Sequence, residues 1–212
     1  MAVNKMKINK NQASVLCQGV VDSLANWPAL YAALQIGGLE KTVTCRIATA
    51  LEAWLVINAS PLLVLQEYRG IDLALIDSKS ISNARLTVDT VIEVKSNYAT
   101  QVTEIQNRIP LAQIQANDYL TDVNAHHAYV LYLVAAPCIN QKSKPPCDNG
   151  WRYWNSPCPT TAMQIAINSI GQSARSANMV ILGDASNGQD QLLYCALLEC
   201  TVPAVSTAQQ AL

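Results

Sequence analysis

The chain has 212 residues, of which 50% are hydrophobic and 14% are charged. This composition supplies enough apolar side chains for a core and argues against a wholly disordered chain. The formal net charge of -1 excludes a polybasic tail, so any surface that binds a polyanion has to be built locally. No apolar stretch approaches the roughly 18 residues of a membrane span, and no apolar segment follows the N-terminal lysines. We therefore expect neither a membrane helix nor a signal peptide.

The apolar periodicity and the turn residues predict an order of helices and strands. They predict helices over 14–24 and 44–58, strands over 62–67, 71–77 and 86–95, a helix over 110–123 that begins at Pro110, a strand over 128–136, a helix over 160–174, and strands over 179–182 and 191–200. Adjacent strands followed by strands that alternate with helices are typical of an α/β fold. We expect a mixed central sheet with helices on both faces.

We expect a single domain over 1–212, with flexible termini at about 1–11 and 204–212. Residues 137–159 are rich in Pro, Cys and aromatic side chains, and they predict a long surface loop inserted into this domain. The seven cysteines match no usual zinc spacing. Reduced thiols in a cytoplasmic protein are favoured, and a disulfide within 138–158 or a metal site stays open.

Two carboxylates lie inside segments that are otherwise apolar. Asp72 interrupts the strand predicted over 71–77, and Glu93 lies two residues before Lys95 in the strand predicted over 86–95. Side chains alternate along a strand, so Glu93 and Lys95 project from the same face. Carboxylates in apolar surroundings are costly unless they are paired, and one lysine cannot pair with both. Mg2+ prefers oxygen ligands and would compensate them, so the pattern indicates a metal site.

The same groups suit the hydrolysis of a phosphodiester. A bound divalent ion stabilises the charge that develops on the phosphate and generates hydroxide near neutral pH. An ammonium group beside it can orient the attacking water and stabilise the same charge. Asp72, Glu93 and Lys95 together supply these parts.

This arrangement resembles the PD-(D/E)XK nuclease superfamily, whose motif is an Asp on one strand of a hairpin and (D/E)-x-K on the next. Asp72 and Glu93-Val94-Lys95 match it, although Gly70-Ile71 stands where a Pro often precedes the Asp. The Gly-x-Asp form is similar to the RecB-like branch, which also carries Gln-x-x-x-Tyr on the following helix. Gln115 and Tyr119 match that motif and share a helix face. The resemblance covers about residues 44–135 and implies a restriction-endonuclease-like fold.

The resemblance also implies the roles of individual residues. The implied catalytic set is Asp72, Glu93, Lys95, Glu52, Gln115 and Tyr119. Asp72, Glu93, the backbone carbonyl of Val94 and Glu52 would hold Mg2+, and Mn2+ is expected to substitute for it. Glu52 is the candidate for a carboxylate that the family often takes from a preceding helix, and Glu67 competes with it. Simpler interpretations stay open: an ion pair of Glu93 with Lys95 on an exposed strand, and packing roles for Gln115 and Tyr119.

These expectations combine into a metal-dependent nuclease that cleaves DNA, of the restriction, phage or repair, or toxin type. An RNA nuclease toxin that cleaves tRNA with the same site is an alternative, as is an inactive nuclease fold that serves as a binding subunit. A homodimer is possible, and a toxin would imply an inhibitor or immunity protein. The candidates for a local basic groove are Lys79, Arg85, Lys95, Arg108, Lys142, Lys144 and Arg152.

Overall fold

The computed structural model describes residues 7–25, 39–83, 86–137, 159–173, 179–187 and 191–200. In chain order the elements are α1 (Lys10–Ala25), α2 (Leu39–Ile57), β1 (Leu62–Tyr68), β2 (Ile71–Asp77), a 3-10 helix (Ser78–Asn83), β3 (Val88–Tyr98), α3 (Val102–Asp122), β4 (His127–Pro137), α4 (Pro159–Ser173), β5 (Met179–Asn187) and β6 (Gln191–Cys200). The predicted order of elements is confirmed. None of the helices in these ranges is both long and apolar enough to cross a membrane.

The six described strands form one sheet in the order β1-β2-β3-β4-β6-β5. Strands β3 and β4 run parallel, and every other neighbouring pair is antiparallel. Short turns can join the antiparallel pairs, whereas a parallel pair needs a crossover, which α3 provides. The sheet is therefore mixed, as the sequence predicted, and β3 and β4 lie at its centre.

Helices cover both faces of the sheet, because the strand side chains alternate between two separate apolar clusters. On one face, α1 and α2 pack against strand residues such as Leu73 and Ile92. On the other face, α3 and α4 pack against residues such as Ala74 and Val91. Asp72, Glu93 and Lys95 have the same parity as Ala74 and Val91, so they belong to the face that α3 covers.

Helix α3 departs from the predicted boundary. We expected Pro110 to begin this helix, but the helix begins at Val102 and Pro110 lies in its interior. The missing N–H and the ring of an interior proline cost about 3 kcal/mol. Burial of Ile105 and Ile109, which precede Pro110 and pack against the sheet, contributes about 1.5 to 3 kcal/mol each. Packing of the first two turns thus outweighs the local preference of proline.

Two other predicted features lie at the edges of the described ranges. The helix α1 begins at Lys10, so the end of the segment predicted to be flexible (1–11) is helical. The predicted loop 137–159 falls outside the described residues except for Pro137, which ends β4, and Pro159, which begins α4. The predicted flexible tail 204–212 also lies outside them. The cysteines in the described ranges, Cys17, Cys45, Cys195 and Cys200, are free thiols.

We expect Pro110→Ala to raise the free energy of unfolding by about 2 kcal/mol. The substitution restores a hydrogen-bond donor inside α3 and removes the ring clash, and the greater freedom of the unfolded chain offsets part of this gain. Urea denaturation monitored by circular dichroism measures the change. The neighbouring Leu111, which is 64% exposed, supplies the control Leu111→Ala, for which we expect almost no change. A destabilised Pro110→Ala variant would contradict this account of α3.

Candidate functional site

The pairing of β2 with β3 brings two acidic side chains together. Leu73 pairs with Ile92 in this antiparallel register, so the next positions along the two strands are those of Asp72 and Glu93. Asp72 Oδ2 accepts a hydrogen bond from the backbone N–H of Val94 at 2.8 Å. The two carboxylates also act on each other electrostatically, since the charge of Asp72 raises the pKa of Glu93.

Lys95 lies beside this pair on the same strand as Glu93. Its Nζ forms a close ion pair with Glu93 Oε1, and it lies 3.6 Å from Glu40 Oε1. The Glu93 side chain is 1% exposed, and within the described residues its Oε2 has no hydrogen-bond donor. One lysine therefore leaves part of the buried carboxylate uncompensated, as the sequence argument anticipated.

A third carboxylate joins the cluster from the first turn of α2. Glu40 Oε2 lies 3.8 Å from Arg108 Nη1 on α3, while Glu40 Oε1 faces Lys95. Arg108 also donates a hydrogen bond to the backbone carbonyl of Ser96 at 3.3 Å. Asp72, Glu93 and Glu40 face Lys95 and Arg108, so the cluster carries one excess negative charge when all five groups are ionised.

The electrostatics of the cluster follow from burial and from this excess. Burial raises the pKa of Glu93 to about 7; the hydrogen bond from Lys95 opposes this, and the charges of Asp72 and Glu40 add to it. Burial also raises the pKa of Asp72 against the effect of the Val94 N–H. Burial by itself would lower the pKa of Lys95, but the hydrogen bond to Glu93 and the surrounding carboxylates raise it. Lys95 therefore stays an ammonium group at neutral pH.

The donor set determines which cation fits. Within the described ranges, no group of three or more His, Cys, Asp or Glu side chains is arranged to hold a metal ion. Mg2+ needs fewer, since proteins usually bind it through one or two carboxylates and leave its other positions to water and phosphate. Asp72 and Glu93 meet that requirement, because they occupy adjacent positions on neighbouring strands and Glu93 Oε2 is buried with no hydrogen-bond partner among the described residues. For Val94, the structure shows an N–H contact with Asp72, and the role of its carbonyl stays a prediction.

The sequence proposed Glu52 or Glu67 as the third carboxylate. Glu52 is exposed on α2, twelve residues after Glu40, which is about 18 Å along the helix axis. Glu67 is exposed near the end of β1, where the flanking pairs Gln66–Leu73 and Tyr68–Ile71 place it opposite Asp72. The carboxylate of α2 that faces Lys95 is Glu40. Sequence reasoning missed it because the helix was predicted to begin at 44, although an acidic residue in a first turn is itself a helix signal.

Gln115 and Tyr119 share a face of α3, as predicted, but they contact the turn before Asp72. Gln115 Nε2 donates to the hydroxyl of Tyr119 at 2.9 Å, and that hydroxyl donates to the carbonyl of Gly70 at 2.8 Å. This chain of hydrogen bonds ties α3 to the β1–β2 turn. No hydrogen bond from either residue to Asp72 or Glu93 occurs in the described part of the chain.

The basic residues predicted to form a groove divide into three groups. Lys95 and Arg108 belong to the cluster. Lys79 lies in the 3-10 helix. Arg85, Lys142, Lys144 and Arg152 lie outside the described residues.

No protein-family model matches this chain, and no curated protein or solved structure shows significant similarity to it. Its own residues and their geometry therefore carry the functional argument.

We expect the stability of the metal-free protein to fall as pH rises from about 4.5 to about 7. The pKa of Glu93 is about 7 in the folded state against 4.5 for the free side chain, so the folded state binds more protons in this window. The free energy of unfolding should decrease by up to about 3 kcal/mol across it. Urea denaturation in EDTA at several pH values measures the slope.

The comparison with Glu93→Gln isolates this effect, because glutamine keeps the shape and does not titrate. The variant should lose most of the negative slope and match or exceed the stability of the wild type at pH 8. Glu52→Gln, at an exposed position on α2, is the control and should keep the wild-type slope. Identical slopes for the wild type and Glu93→Gln would show that Glu93 is not a strained carboxylate.

Proposed function

We propose that this protein is a metal-dependent endonuclease that hydrolyses phosphodiester bonds, with DNA as its substrate. One observation carries the proposal: Asp72 and Glu93 occupy adjacent positions on neighbouring strands, and the ammonium of Lys95 lies against the buried Glu93. A buried carboxylate beside a second, partly buried one is unfavourable in a purely structural role. The mixed sheet with helices on both faces is compatible with a restriction-endonuclease-like fold, which is part of the proposal.

Asp72 and Glu93 would hold Mg2+, and Mn2+ would substitute for it. When bound, such an ion neutralises phosphate charge and lowers the pKa of water. Both carboxylates have to be ionised for this to happen, against the burial that raises the pKa of each. Glu40 Oε1 lies 3.6 Å from Lys95 Nζ and supplies the third negative charge of the site.

Lys95 has a position suited to the attacking water and to the phosphate. Its raised pKa keeps it protonated, so it donates hydrogen bonds and positive charge and does not act as a base. Glu93 and Glu40 hold its Nζ from two sides, which restricts its position before the substrate arrives. The partial burial of the site strengthens each of these interactions relative to water.

Arg108 has the geometry of a phosphate-binding residue. It is half-exposed, and its guanidinium is anchored by Ser96 O and Glu40 at one edge of the cluster. A guanidinium binds phosphate oxygens with several donors at once. Arg108 would thus hold the substrate backbone beside Lys95 and compensate for the low overall charge of the chain.

We expect the wild-type protein to nick or linearise supercoiled plasmid in Mg2+ or Mn2+ and to be inactive in EDTA. Asp72→Asn and Glu93→Gln should abolish cleavage, since each removes one of the two carboxylates proposed to hold the ion. Lys95→Ala should lower the rate by at least about a hundredfold while metal binding persists. Agarose gels measure cleavage, and calorimetry with Mn2+ measures binding.

The matched variant Glu52→Gln should cleave like the wild type, because Glu52 lies far along α2 from the cluster. A parallel assay with tRNA and with single-stranded RNA separates DNA cleavage from RNA cleavage by the same site. A folded wild-type protein that cleaves no nucleic acid and binds no divalent ion would refute the proposal and favour a non-catalytic binding subunit.

Variants of Glu40 and Glu52 test directly which carboxylate of α2 contributes to cleavage. Glu40→Gln removes a charge that faces both Lys95 and Arg108, so we expect at least about a tenfold loss of cleavage rate. Glu52→Gln and Glu67→Gln should each stay within about twofold of the wild type. Equal activity of the Glu40 and Glu52 variants in plasmid cleavage would remove Glu40 from the site.

A further inference from the structure

A pocket of about 300 Å³ lies beside the tip of the β1–β2 hairpin, on the face of the sheet that α3 covers. Tyr68 and Arg69 line it from the hairpin, Leu86 and Val88 from the start of β3, and Asp122 and Asn124 from the C-terminal end of α3. Its volume is at the low end for pockets that hold small molecules, which suits one nucleoside-sized group. The pocket is separate from the acidic cluster described above.

The hairpin tip holds an arginine in a conformation that arginine does not favour. Tyr68 pairs with Ile71, so Arg69 and Gly70 form a two-residue turn, with φ angles of 54° and 84°. Such turns strongly favour Asn, Asp or Gly at both positions. A left-handed residue other than glycine costs on the order of 1 kcal/mol and is typical of functional segments. The turn thus keeps a cation where Asn would be the more stable choice.

The side chain of Arg69 is exposed and lies over the ring of Tyr68, with its guanidinium carbon 5.6 Å from the ring centroid. No carboxylate in the described part of the chain forms an ion pair with it. An arginine next to an aromatic ring is the combination that proteins use for single-stranded nucleic acid, in which the ring stacks on a base and the cation meets a phosphate.

The hairpin tip is held close to the acidic cluster. Three Cα steps of about 3.8 Å separate Arg69 from Asp72, so the two Cα atoms lie within about 11 Å of each other. The hydrogen bond from Tyr119 to Gly70 O fixes the tip against α3 and so fixes the two walls of the pocket relative to each other. Since nucleotides repeat every 3.4 Å along a duplex strand, about three nucleotides at most span this distance.

We infer that Tyr68 and Arg69 form a subsite for one unpaired nucleotide next to the scissile phosphate, with the base in the pocket and its phosphate on Arg69. Asp122 and Asn124 line the same pocket and can hydrogen-bond the edge of the base. The position of this subsite next to a cleaved phosphate rests on the proposed nuclease function. The binding of a nucleotide by the pocket is testable without cleavage.

The experiment measures binding of a fluorescein-labelled, mixed-sequence single-stranded DNA 12-mer by anisotropy, in EDTA and at several salt concentrations. Arg69→Asn should weaken binding about fivefold and reduce the slope of log K against log salt by about 0.7, the effect of one lost phosphate contact. Tyr68→Leu should weaken binding about tenfold with an unchanged salt slope, since it removes a stacking surface. Lys10→Asn, at an exposed position on α1, is the charge-matched control and should bind like the wild type.

Arg69→Asn also suits the test because asparagine tolerates the left-handed conformation, so thermal unfolding should show equal or greater stability. In Mg2+, this variant should raise KM for the 12-mer and leave kcat unchanged. Wild-type affinity and salt slope in Arg69→Asn would overturn the subsite, and persistent cleavage in that case would leave the nuclease proposal standing. Binding that depends on Arg69 and Tyr68 without any cleavage would support the subsite and refute the nuclease. A wild-type protein that does not bind the 12-mer would overturn the subsite, and plasmid cleavage would then decide the nuclease proposal separately.

Discussion

The register between β2 and β3 is the constraint on which the candidate site depends. A slip of one residue would send every side chain of β2 to the opposite face and carry Asp72 away from Glu93. Alternate burial prevents this, because Leu73 and Leu75 pack under α1 and α2 while Ala74 and Ile76 pack under α3 and α4. The apolar residues of both cores therefore hold the two carboxylates on neighbouring strands and on one face. Strand β3 pairs with β2 as far as Ile92, and its pairing with β4 continues through Glu93 and Lys95.

The charges of the cluster show a conflict between folding and the proposed function. Burial disfavours ionised Asp72 and Glu93, and the compensating cations are Lys95, beside Glu93, and Arg108, beside Glu40. Neither of these fully compensates Glu93, whose second oxygen stays without a partner in the described structure. Structures that obey the rules of packing and polar satisfaction elsewhere tend to break them at functional sites. Here the exception lies in the middle of the sheet, where relaxation of the backbone is most restricted.

Sequence reasoning recovered the strands and the shared face of Glu93 and Lys95 for one reason: both depend on short-range alternation. The β-branched run around Glu93 and the apolar segment around Asp72 predict strands, and period two then places Glu93 and Lys95 on one face. Glu40 was not singled out, and Pro110 was placed at the start of a helix, because the positions of both depend on contacts that are distant in sequence. Glu40 acts through the start of α2 and its approach to Lys95, and Pro110 is carried inside α3 by buried residues on both sides of it. The strand order beyond β4 likewise had no local signal.

The two-residue turn at the end of the β1–β2 hairpin places the proposed substrate recognition away from the proposed chemistry. Enzymes often have to satisfy both requirements in one place. The acidic cluster sits on inner strands that support the core, so most substitutions there disturb the fold. The hairpin tip belongs to the edge strand β1 and is joined to the rest mainly by its own strand pairing and by Tyr119. If the tip binds the substrate and the cluster cleaves it, as proposed, recognition can diverge by exchange of a few tip residues while the chemistry is inherited unchanged. Exchange of hairpin tips between proteins of this architecture would then be a direct way to alter substrate preference.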